Sequence, residues 1–341
     1  MNQKYNRFAK CILILAIIFT EPSYGQLGEN RTWTDLQGRK IEAQLIRIDA
    51  DSVVVKIGIK EHLMALDKLS KTDQIYVDSL RPLPPTGKIS DFPVKPEGEL
   101  AAWLQANHMR SLEWNGVPGR YGKDNLRLPF QLHVPPYEKR KPGEKLPLLV
   151  HLHGTGGIGN DNLRQWTDGG GAARLFMDKN FQHYQASYVM IPQTARMSGW
   201  YALAYTDPSP ELEAIVDAIR LMAEDPKYQV DLSRIYVTGL SMGGAGAYQA
   251  MAKFPGFFAA AVPISYVDTK GIFNEGNCGP LWVAINKGDD DLEEMLEDFR
   301  RHYLSIGGKI KTTVFEQGGH DAWTALLGDK KFRNWLFRRE L

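Results

Sequence analysis

The sequence has few cysteines, no excess of either charge and no hydrophobic run long enough to span a bilayer as a mature helix. Two cysteines among 341 residues exclude a disulfide-stapled scaffold and a Cys-rich zinc or iron–sulfur site. Lysine and arginine total 41 against 40 aspartates and glutamates, so the chain lacks the positive field that nucleic-acid-binding proteins use. No nucleic-acid partner is expected. Glycine and proline, at 32 and 19, are ordinary for a globular chain.

Residues 1–25 have the pattern of a bacterial secretory signal peptide. Basic residues precede an apolar run at 12–19, and small residues follow near Gly25. We predict that this segment is removed, which leaves a secreted or periplasmic protein without a membrane anchor. The alternative is a buried N-terminal helix. Removal would take Cys11 and leave Cys278 with no partner for an internal disulfide.

Residues 26–78 have the alternation of a small β domain. Apolar residues alternate with polar ones at 41–45, a turn signal follows at 49–52, and a valine run at 53–55 resumes the extended pattern. Ser70 is a candidate N-cap for a short helix.

The stretch RTWTDLQGRKIEAQLIRIDADSVVVKI…ALDKLSKTDQIYV resembles the SHD family, the homology domain of a yeast endocytic adaptor. The matching positions are Trp33-Thr34-Asp35, Gly38, the valine run and Leu69-Ser70…Asp73. The resemblance implies a small Src-homology-3-like barrel with a binding or spacing role. A partner in the cell envelope is one expectation, and a passive cap on the next domain is the other. Residues 79–100, rich in proline, are predicted to form an extended linker.

From residue 101 to 341 the chain alternates strand-like and helix-like segments. Short apolar runs predict strands at 148–152, 188–191, 235–237, 259–264 and 281–285, and an amphipathic helix is predicted over 211–224. This alternation predicts an α/β fold with a mainly parallel sheet that is buried on both faces. Reactive residues gather at the carboxyl ends of the strands in such sheets.

The strongest local signal is Gly239-Leu240-Ser241-Met242-Gly243, which follows an apolar strand and precedes a helix rich in small residues. This is the arrangement of a nucleophile elbow, in which a serine lies on a strained turn between glycines. The pattern predicts Ser241 as the nucleophile. The alternative is a glycine-rich turn with an idle serine.

A serine nucleophile needs a base and an acid that orients the base, and in this fold they follow the serine in the order acid, histidine. Of the two histidines after Ser241, His302 lies in a helical stretch and His320 in a glycine-rich loop after a strand, so His320 is the predicted base. The acid should follow strand 281–285, where Asp289, Asp290 and Asp291 are adjacent. Asp289 is preferred, and one of the three can instead begin the next helix.

The intermediate of acyl transfer needs backbone donors for its oxyanion. The N–H of Met242 is one predicted donor, and the N–H of Thr155 or Gly156 is the other, because His153-Gly154-Thr155-Gly156-Gly157 follows an apolar strand. The same loop fits Gly-x-Gly-x-x-Gly, but polar residues follow it where a dinucleotide-binding helix would begin. No metal-binding motif occurs, and no cofactor is expected.

Several segments together resemble the predicted-peptidase and polyhydroxybutyrate-depolymerase-like branch of the α/β-hydrolases. They are LPLLVHLHGTGG, IPQ with GWY, VDLSRIYVTGLSMGGAGAYQAMAKFPGFFAAAVPIS, GGHDAW and the terminal NWLFRREL. The resemblance covers 126–341 and implies a triad of Ser241, Asp289 and His320. It departs at the acid turn, where such proteins have His-Gly-x-x-Asp before Val-Pro. Trp200, Tyr201 and Trp323 are candidate substrate-binding residues, or ordinary core and rim residues.

The sequence therefore predicts an exported serine hydrolase that cleaves a small-molecule or polysaccharide-linked carboxylic ester through an acyl-enzyme. A serine peptidase of the same fold is one alternative. A non-catalytic envelope- or polysaccharide-binding protein is the other.

Overall fold

The described residues form two separate β-sheets, a small one near the N-terminus and a large one in the rest of the chain. The structure is a computed structural model and describes residues 30–49, 51–80, 85–116, 126–136, 143–201, 209–268 and 271–341. The predicted signal peptide at 1–25 lies outside the described residues.

The small sheet is an antiparallel meander in chain order. Its strands are β1 (Asn30–Thr34), β2 (Lys40–Ile48), β3 (Ser52–Ile57) and β4 (Lys60–Ala65). The alternating residues Leu45, Val53 and Val55 are buried around Trp33, and helix α1 (Lys71–Leu80) completes this core. Four antiparallel strands fit the predicted small β domain, while its closure into a barrel and its family remain predictions.

Helix α1 begins where the sequence predicts it, because its first turn is capped. The Ser70 hydroxyl accepts a hydrogen bond from the backbone N–H of Asp73 at 3.2 Å, and Asp73 in turn accepts one from the Thr34 N–H at 2.8 Å. The buried Asp73 carboxylate also pairs with Arg31 at 2.6 Å. This cluster ties the helix to strand β1.

The large sheet has nine strands in the order β13-β12-β11-β10-β8-β9-β7-β6-β5 among the residues that the structure describes. They are β5 (Lys88–Asp91), β6 (Met109–Asn115), β7 (Arg127–His133), β8 (Leu146–Leu152), β9 (Tyr188–Pro192), β10 (Val230–Leu240), β11 (Ala260–Ile264), β12 (Leu281–Asn286) and β13 (Ile310–Phe315). Strands β8 to β13 run parallel to one another, and β5, β6 and β7 add antiparallel pairs at one edge. The predicted mainly parallel sheet is therefore present.

Helices cover both faces of the large sheet. They are α2 (Gly98–Ala106), α3 (Lys179–Tyr184), α4 (Pro210–Glu224), α5 (Met242–Lys253), α6 (Leu292–Ser305), α7 (Ala322–Gly328) and α8 (Lys330–Leu336). Alternate residues of β8 point to opposite faces: Leu148 and Val150 pack with α4, α5 and α6, whereas Leu149 packs with α3, α7 and α8. Burial on both faces explains why the sequences of the parallel strands are continuous runs of apolar residues.

The proline-rich segment 79–100, which the sequence predicts to be an extended linker, contains a short strand. Strand β5 lies within it and pairs antiparallel with β6 at the edge of the large sheet. Thr86 also donates from its backbone and its hydroxyl to the Asp217 carboxylate on α4, at 3.2 and 3.0 Å. An edge strand of four residues tolerates prolines on both sides.

A search of the described residues for a helix long and apolar enough to cross a membrane finds none.

Candidate active site

Ser241 lies on a sharp turn between the end of β10 and the start of α5. Its backbone has φ 53° and ψ −116°, a strained combination for a residue with a side chain. A Cβ atom on Gly239 would meet the carbonyl of Gly243, and one on Gly243 would meet the carbonyl of Leu152. The two glycines therefore allow β10, α5 and β8 to approach closely enough to hold the serine on this turn, which has the geometry of a nucleophile elbow.

His320 lies in the loop between β13 and α7, and its ring contacts the serine. His320 Nε2 is 2.8 Å from Ser241 Oγ. The ring is about half exposed, as a group that exchanges protons with a substrate and water must be. The other ring nitrogen, Nδ1, lies 2.9 and 3.1 Å from the two carboxylate oxygens of Asp289.

Asp289 follows β12 and is only 5% exposed. The turn that carries it has left-handed backbone at Gly288, with φ 76°, and at Asp290, with φ 45°. This turn directs the Asp289 carboxylate inward to His320, while Asp290 and Asp291 are exposed. His302 is exposed on α6. The structure thus brings together Ser241, His320 and Asp289. It does not bring the alternatives, Asp290, Asp291 and His302, into this set of contacts.

The contacts of the His320 ring match one neutral tautomer. Because Nδ1 faces a carboxylate, which only accepts hydrogen bonds, Nδ1 is placed to donate, and in the neutral ring Nε2 is then placed to accept from the Ser241 hydroxyl. A neutral imidazole with a free lone pair on Nε2 is the form that removes a proton from a serine.

The loop after β8 places two backbone N–H groups beside the elbow. Thr155 and Gly156 are exposed, and Met242 begins α5, so its N–H has no carbonyl four residues earlier in the helix. The Gly154 backbone is packed against Leu240, which precedes the serine. The N–H groups of Thr155 and Met242 have no hydrogen-bond acceptor among the described residues, which leaves them available to an oxyanion.

His153 supports this loop through hydrogen bonds of its two ring nitrogens. It is fully buried, accepts a hydrogen bond from the Thr194 N–H at Nε2 (3.2 Å) and donates from Nδ1 to the Gly154 carbonyl at 2.6 Å. Burial lowers the pKa of the His153 imidazole, so the ring stays neutral and keeps this pair of hydrogen bonds. His153 therefore has a structural role in the predicted oxyanion loop.

Trp200 is a buried core residue, which is one of the two roles that the sequence leaves open for it. It is 0% exposed, its ring packs edge-on against His153, and its Nε1–H donates to the His153 carbonyl at 2.9 Å. Tyr201 is half-buried. Trp323 is 7% exposed, packs edge-on against His320 with centroids 5.7 Å apart, and donates to the Gly169 carbonyl at 3.0 Å. Trp200 and Trp323 are therefore buried residues that pack against His153 and His320 of the site.

The sequence does not predict two residues that hold the loop between β13 and α7, which carries His320. The Asn286 amide donates to the Gly319 carbonyl at 2.7 Å, and the Ser265 hydroxyl accepts from the Ala322 N–H at 3.2 Å. Both lie at the carboxyl ends of buried strands, and Asn286 stands in the acid turn where the sequence departs from the resembled family. The sequence signal that could have identified Asn286 and Ser265 is a polar residue at the carboxyl end of an apolar run.

Among the described residues no group of three or more His, Cys, Asp or Glu side chains is arranged to hold a metal ion.

Comparison with solved structures finds several that align with this chain. A structure described as a thermostable esterase superposes with a TM-score of 0.57 at 21% identity and covers 93% of this chain and 91% of its own. The chain has the α/β-hydrolase fold. The S-formylglutathione hydrolase FrmB of Staphylococcus aureus aligns at 17% identity and a TM-score of 0.49, over 67% of this chain and 99% of its own. A ferulic acid esterase aligns at 16% identity and a TM-score of 0.47, over 68% and 99%.

No protein-family model matches the sequence, and no curated protein matches it.

Proposed function

We propose that this protein is a serine hydrolase that cleaves carboxylic esters through an acyl-enzyme. One observation carries the proposal: His320 spans the 2.8 Å contact to Ser241 Oγ and the 2.9 Å contact to Asp289 Oδ1. A hydroxyl hydrogen-bonded to an imidazole that is itself oriented by a buried carboxylate is the arrangement that makes serine nucleophilic at neutral pH.

In the first half-reaction Ser241 Oγ bonds to the ester carbonyl carbon, and its proton passes to His320 Nε2. The negative oxygen of the tetrahedral intermediate accepts hydrogen bonds from the N–H groups of Met242 and of Thr155 or Gly156. The C–O bond to the alcohol then breaks, and His320 returns the proton to the departing alkoxide. Asp289 stabilises the imidazolium throughout and keeps its charge.

In the second half-reaction a water molecule attacks the acyl carbon and gives one proton to His320 Nε2. The bond from carbon to Ser241 Oγ breaks, the serine regains a proton from His320, and the acid leaves. A peptide bond requires the same steps with a poorer leaving group. We therefore propose ester hydrolysis as the main activity and treat peptide cleavage as an outcome to be tested.

The test is hydrolysis of p-nitrophenyl acetate by the wild type, by Ser241→Ala and by the control Ser305→Ala. Ser305 is exposed at the end of α6, so its removal changes serine content without touching the site. We expect Ser241→Ala to lose at least about 10³-fold in kcat and Ser305→Ala to match the wild type. Equal turnover by wild type and Ser241→Ala would contradict the proposal. Cleavage of peptide but not ester substrates would assign a peptidase.

We also propose that the protein is exported and that its N-terminal sheet spaces the enzyme or binds a partner in the envelope. The support is the basic and apolar pattern of 1–25 and the separate core around Trp33. N-terminal sequencing of the protein from a periplasmic extract should find a chain that begins near residue 26. Recovery of the uncut chain from the cytoplasm would contradict export.

A further inference from the structure

A short turn beside the oxyanion loop carries a carboxylate that the proposed mechanism does not use. Residues Asp168–Gly170 form a 3-10 turn, closed by a hydrogen bond from the Gly171 N–H to the Asp168 carbonyl at 3.0 Å. Gly169 within it has φ 55°. This conformation turns the chain back so that the Asp168 side chain faces the loop after β8.

The two oxygens of Asp168 contact the oxyanion loop on either side of Thr155. Oδ2 accepts a hydrogen bond from the Gly154 N–H at 2.5 Å. Oδ1 lies so close to Gly156 that a Cβ atom there would collide with it. The Asp168 carboxylate thus hydrogen-bonds to Gly154 and lies against Gly156, the residues on either side of Thr155.

This contact leaves a defined set of N–H groups for the oxyanion. The Gly154 N–H is bound to Asp168, and the Gly157 N–H donates to the Gly154 carbonyl at 3.3 Å. The N–H groups of Thr155 and Gly156 lie between these two, have no acceptor among the described residues and belong to exposed residues. Asp168 therefore holds the loop in the orientation that the proposed oxyanion hole needs.

The same turn also reaches the histidine loop. The Gly169 carbonyl, next to Asp168, accepts from Trp323 Nε1 at 3.0 Å, and the Trp323 ring packs edge-on against His320. Among the described residues the Asp168 carboxylate accepts a hydrogen bond from the Gly154 N–H, and its charge also acts on the buried His153 ring.

We propose that Asp168 is the positioning residue of the oxyanion hole. The inference rests on the proposed serine-hydrolase function and adds to it the group that orients the Thr155 and Gly156 amides. Because those amides bind the intermediate more strongly than the substrate, loss of Asp168 should lower kcat and leave KM nearly unchanged.

The experiment compares Asp168→Ala, Asp168→Asn and Asp168→Glu with wild type on p-nitrophenyl acetate. Asp178→Ala is the control, because Asp178 is an exposed aspartate that accepts from a backbone N–H, that of Asn180, at 2.8 Å. For Asp168→Ala we expect kcat to fall about 10- to 100-fold with KM within about twofold. Asp168→Asn keeps an acceptor oxygen in place and should recover most of kcat, whereas Asp168→Glu displaces the oxygens and should recover less.

A second readout distinguishes positioning from general destabilisation. Phenylboronic acid forms a tetrahedral adduct on a reactive serine and so probes the oxyanion hole directly. Its affinity should fall in Asp168→Ala by the same factor as kcat/KM. If the Ala variant does not fold, Asp168→Glu with a wild-type melting temperature serves in its place.

Three results would overturn the inference while leaving the proposed function intact. They are wild-type kcat in folded Asp168→Ala or Asp168→Glu, a loss confined to KM, and Asp168→Glu more active than Asp168→Asn, which would indicate a role for charge. If instead the wild type shows no hydrolysis and no boronate binding, the proposed function fails and the inference fails with it.

Discussion

At the residue scale, the environment of Asp289 separates it from two chemically identical neighbours. Its carboxylate is buried against His320 Nδ1, whereas Asp290 and Asp291 face solvent one and two positions later. The left-handed backbone at Asp290 produces this difference, because it reverses the chain direction directly after Asp289.

Replacement of Asp289 by Asn should therefore be far more damaging than the same change next to it. An amide at 289 leaves the serine and histidine in place but favours the wrong imidazole tautomer, so we expect kcat on p-nitrophenyl acetate to fall about 10³- to 10⁴-fold. Asp290→Asn and Asp291→Asn are matched controls and should stay within about twofold of wild type. A similar loss in all three variants would refute the assignment of Asp289.

The residue types of the candidate triad were predictable, and their supports were not. Ser241 and His320 stand in short glycine-rich motifs whose spacing is visible in the sequence. The choice among three aspartates depended on a backbone turn, and the roles of Asp168 and Asn286 depend on contacts between residues far apart in the chain. The sequence leaves two roles open for Trp200, because aromatic residues suit both a pocket and a core, and the structure buries it.

At the element scale, the site depends on how closely α5 approaches β8. A Cβ atom on Gly243 would overlap the Leu152 carbonyl, which is backbone and has no rotamer to change. The strained Ser241 turn is thus maintained by packing around a residue without a side chain.

Gly243→Ala should push α5 away from the sheet. We expect it to lower the free energy of unfolding by at least about 3 kcal/mol and to reduce kcat, as measured by urea denaturation and ester hydrolysis. Gly328→Ala is the control, since Gly328 ends α7 with open space around its Cα. Unfolding midpoints that agree between Gly243→Ala and wild type would show that α5 does not need this contact.

The five strands predicted from apolar runs are present as β8 to β12, because strands that are buried on both faces of a sheet are continuous apolar runs in the sequence. Helix α4 starts one residue before the predicted 211–224, since Ser209 caps it by accepting from the Leu212 N–H at 3.2 Å. The sequence does not predict strand β5. Its four residues are ordered by pairing with β6, and the pattern of the segment alone does not indicate this pairing.

At the scale of the whole molecule, a histidine in the centre of the sheet couples stability to pH. His151 is fully buried in β8, and burial lowers its pKa to about 3 from an ordinary value of 6.5. The unfolded chain then binds a proton between pH 6.5 and about 3 that the folded chain does not. Stability from this residue is complete above pH 6.5 and is lost as the pH falls below it.

We therefore expect the wild type to lose about 2 kcal/mol more than His151→Phe between pH 7 and pH 5. Phenylalanine keeps a ring next to Phe176, whose centroid lies 5.1 Å from that of His151. The control His302→Gln removes an exposed histidine and should follow the wild type. Urea titrations at both pH values measure the difference, and parallel losses in wild type and His151→Phe would refute it.

The two sheets have separate cores, and an ion pair joins Lys56 on β3 to Glu275 at 3.1 Å. We propose that the boundary of the catalytic unit lies before residue 86, because the buried Trp114 donates to the Thr86 carbonyl at 2.9 Å and β5 covers the edge of β6. The predicted boundary at residue 101 would remove both contacts.

A chain of residues 85–341 should keep the wild-type kcat/KM and melting temperature within error. A chain of residues 101–341 should melt lower, because Trp114 loses its acceptor and β6 its neighbour. Thermal unfolding and p-nitrophenyl acetate hydrolysis compare the two. If 85–341 loses as much activity as 101–341, the N-terminal sheet is part of the catalytic unit.

The most direct measurement of the central claim is mass spectrometry of the protein after reaction with a fluorophosphonate, which forms a stable adduct with activated serines. We expect one adduct per chain, located on the peptide that contains Ser241, absent from Ser241→Ala and formed much more slowly in Asp289→Asn. An unmodified wild-type protein, or an adduct on a different serine, would contradict it.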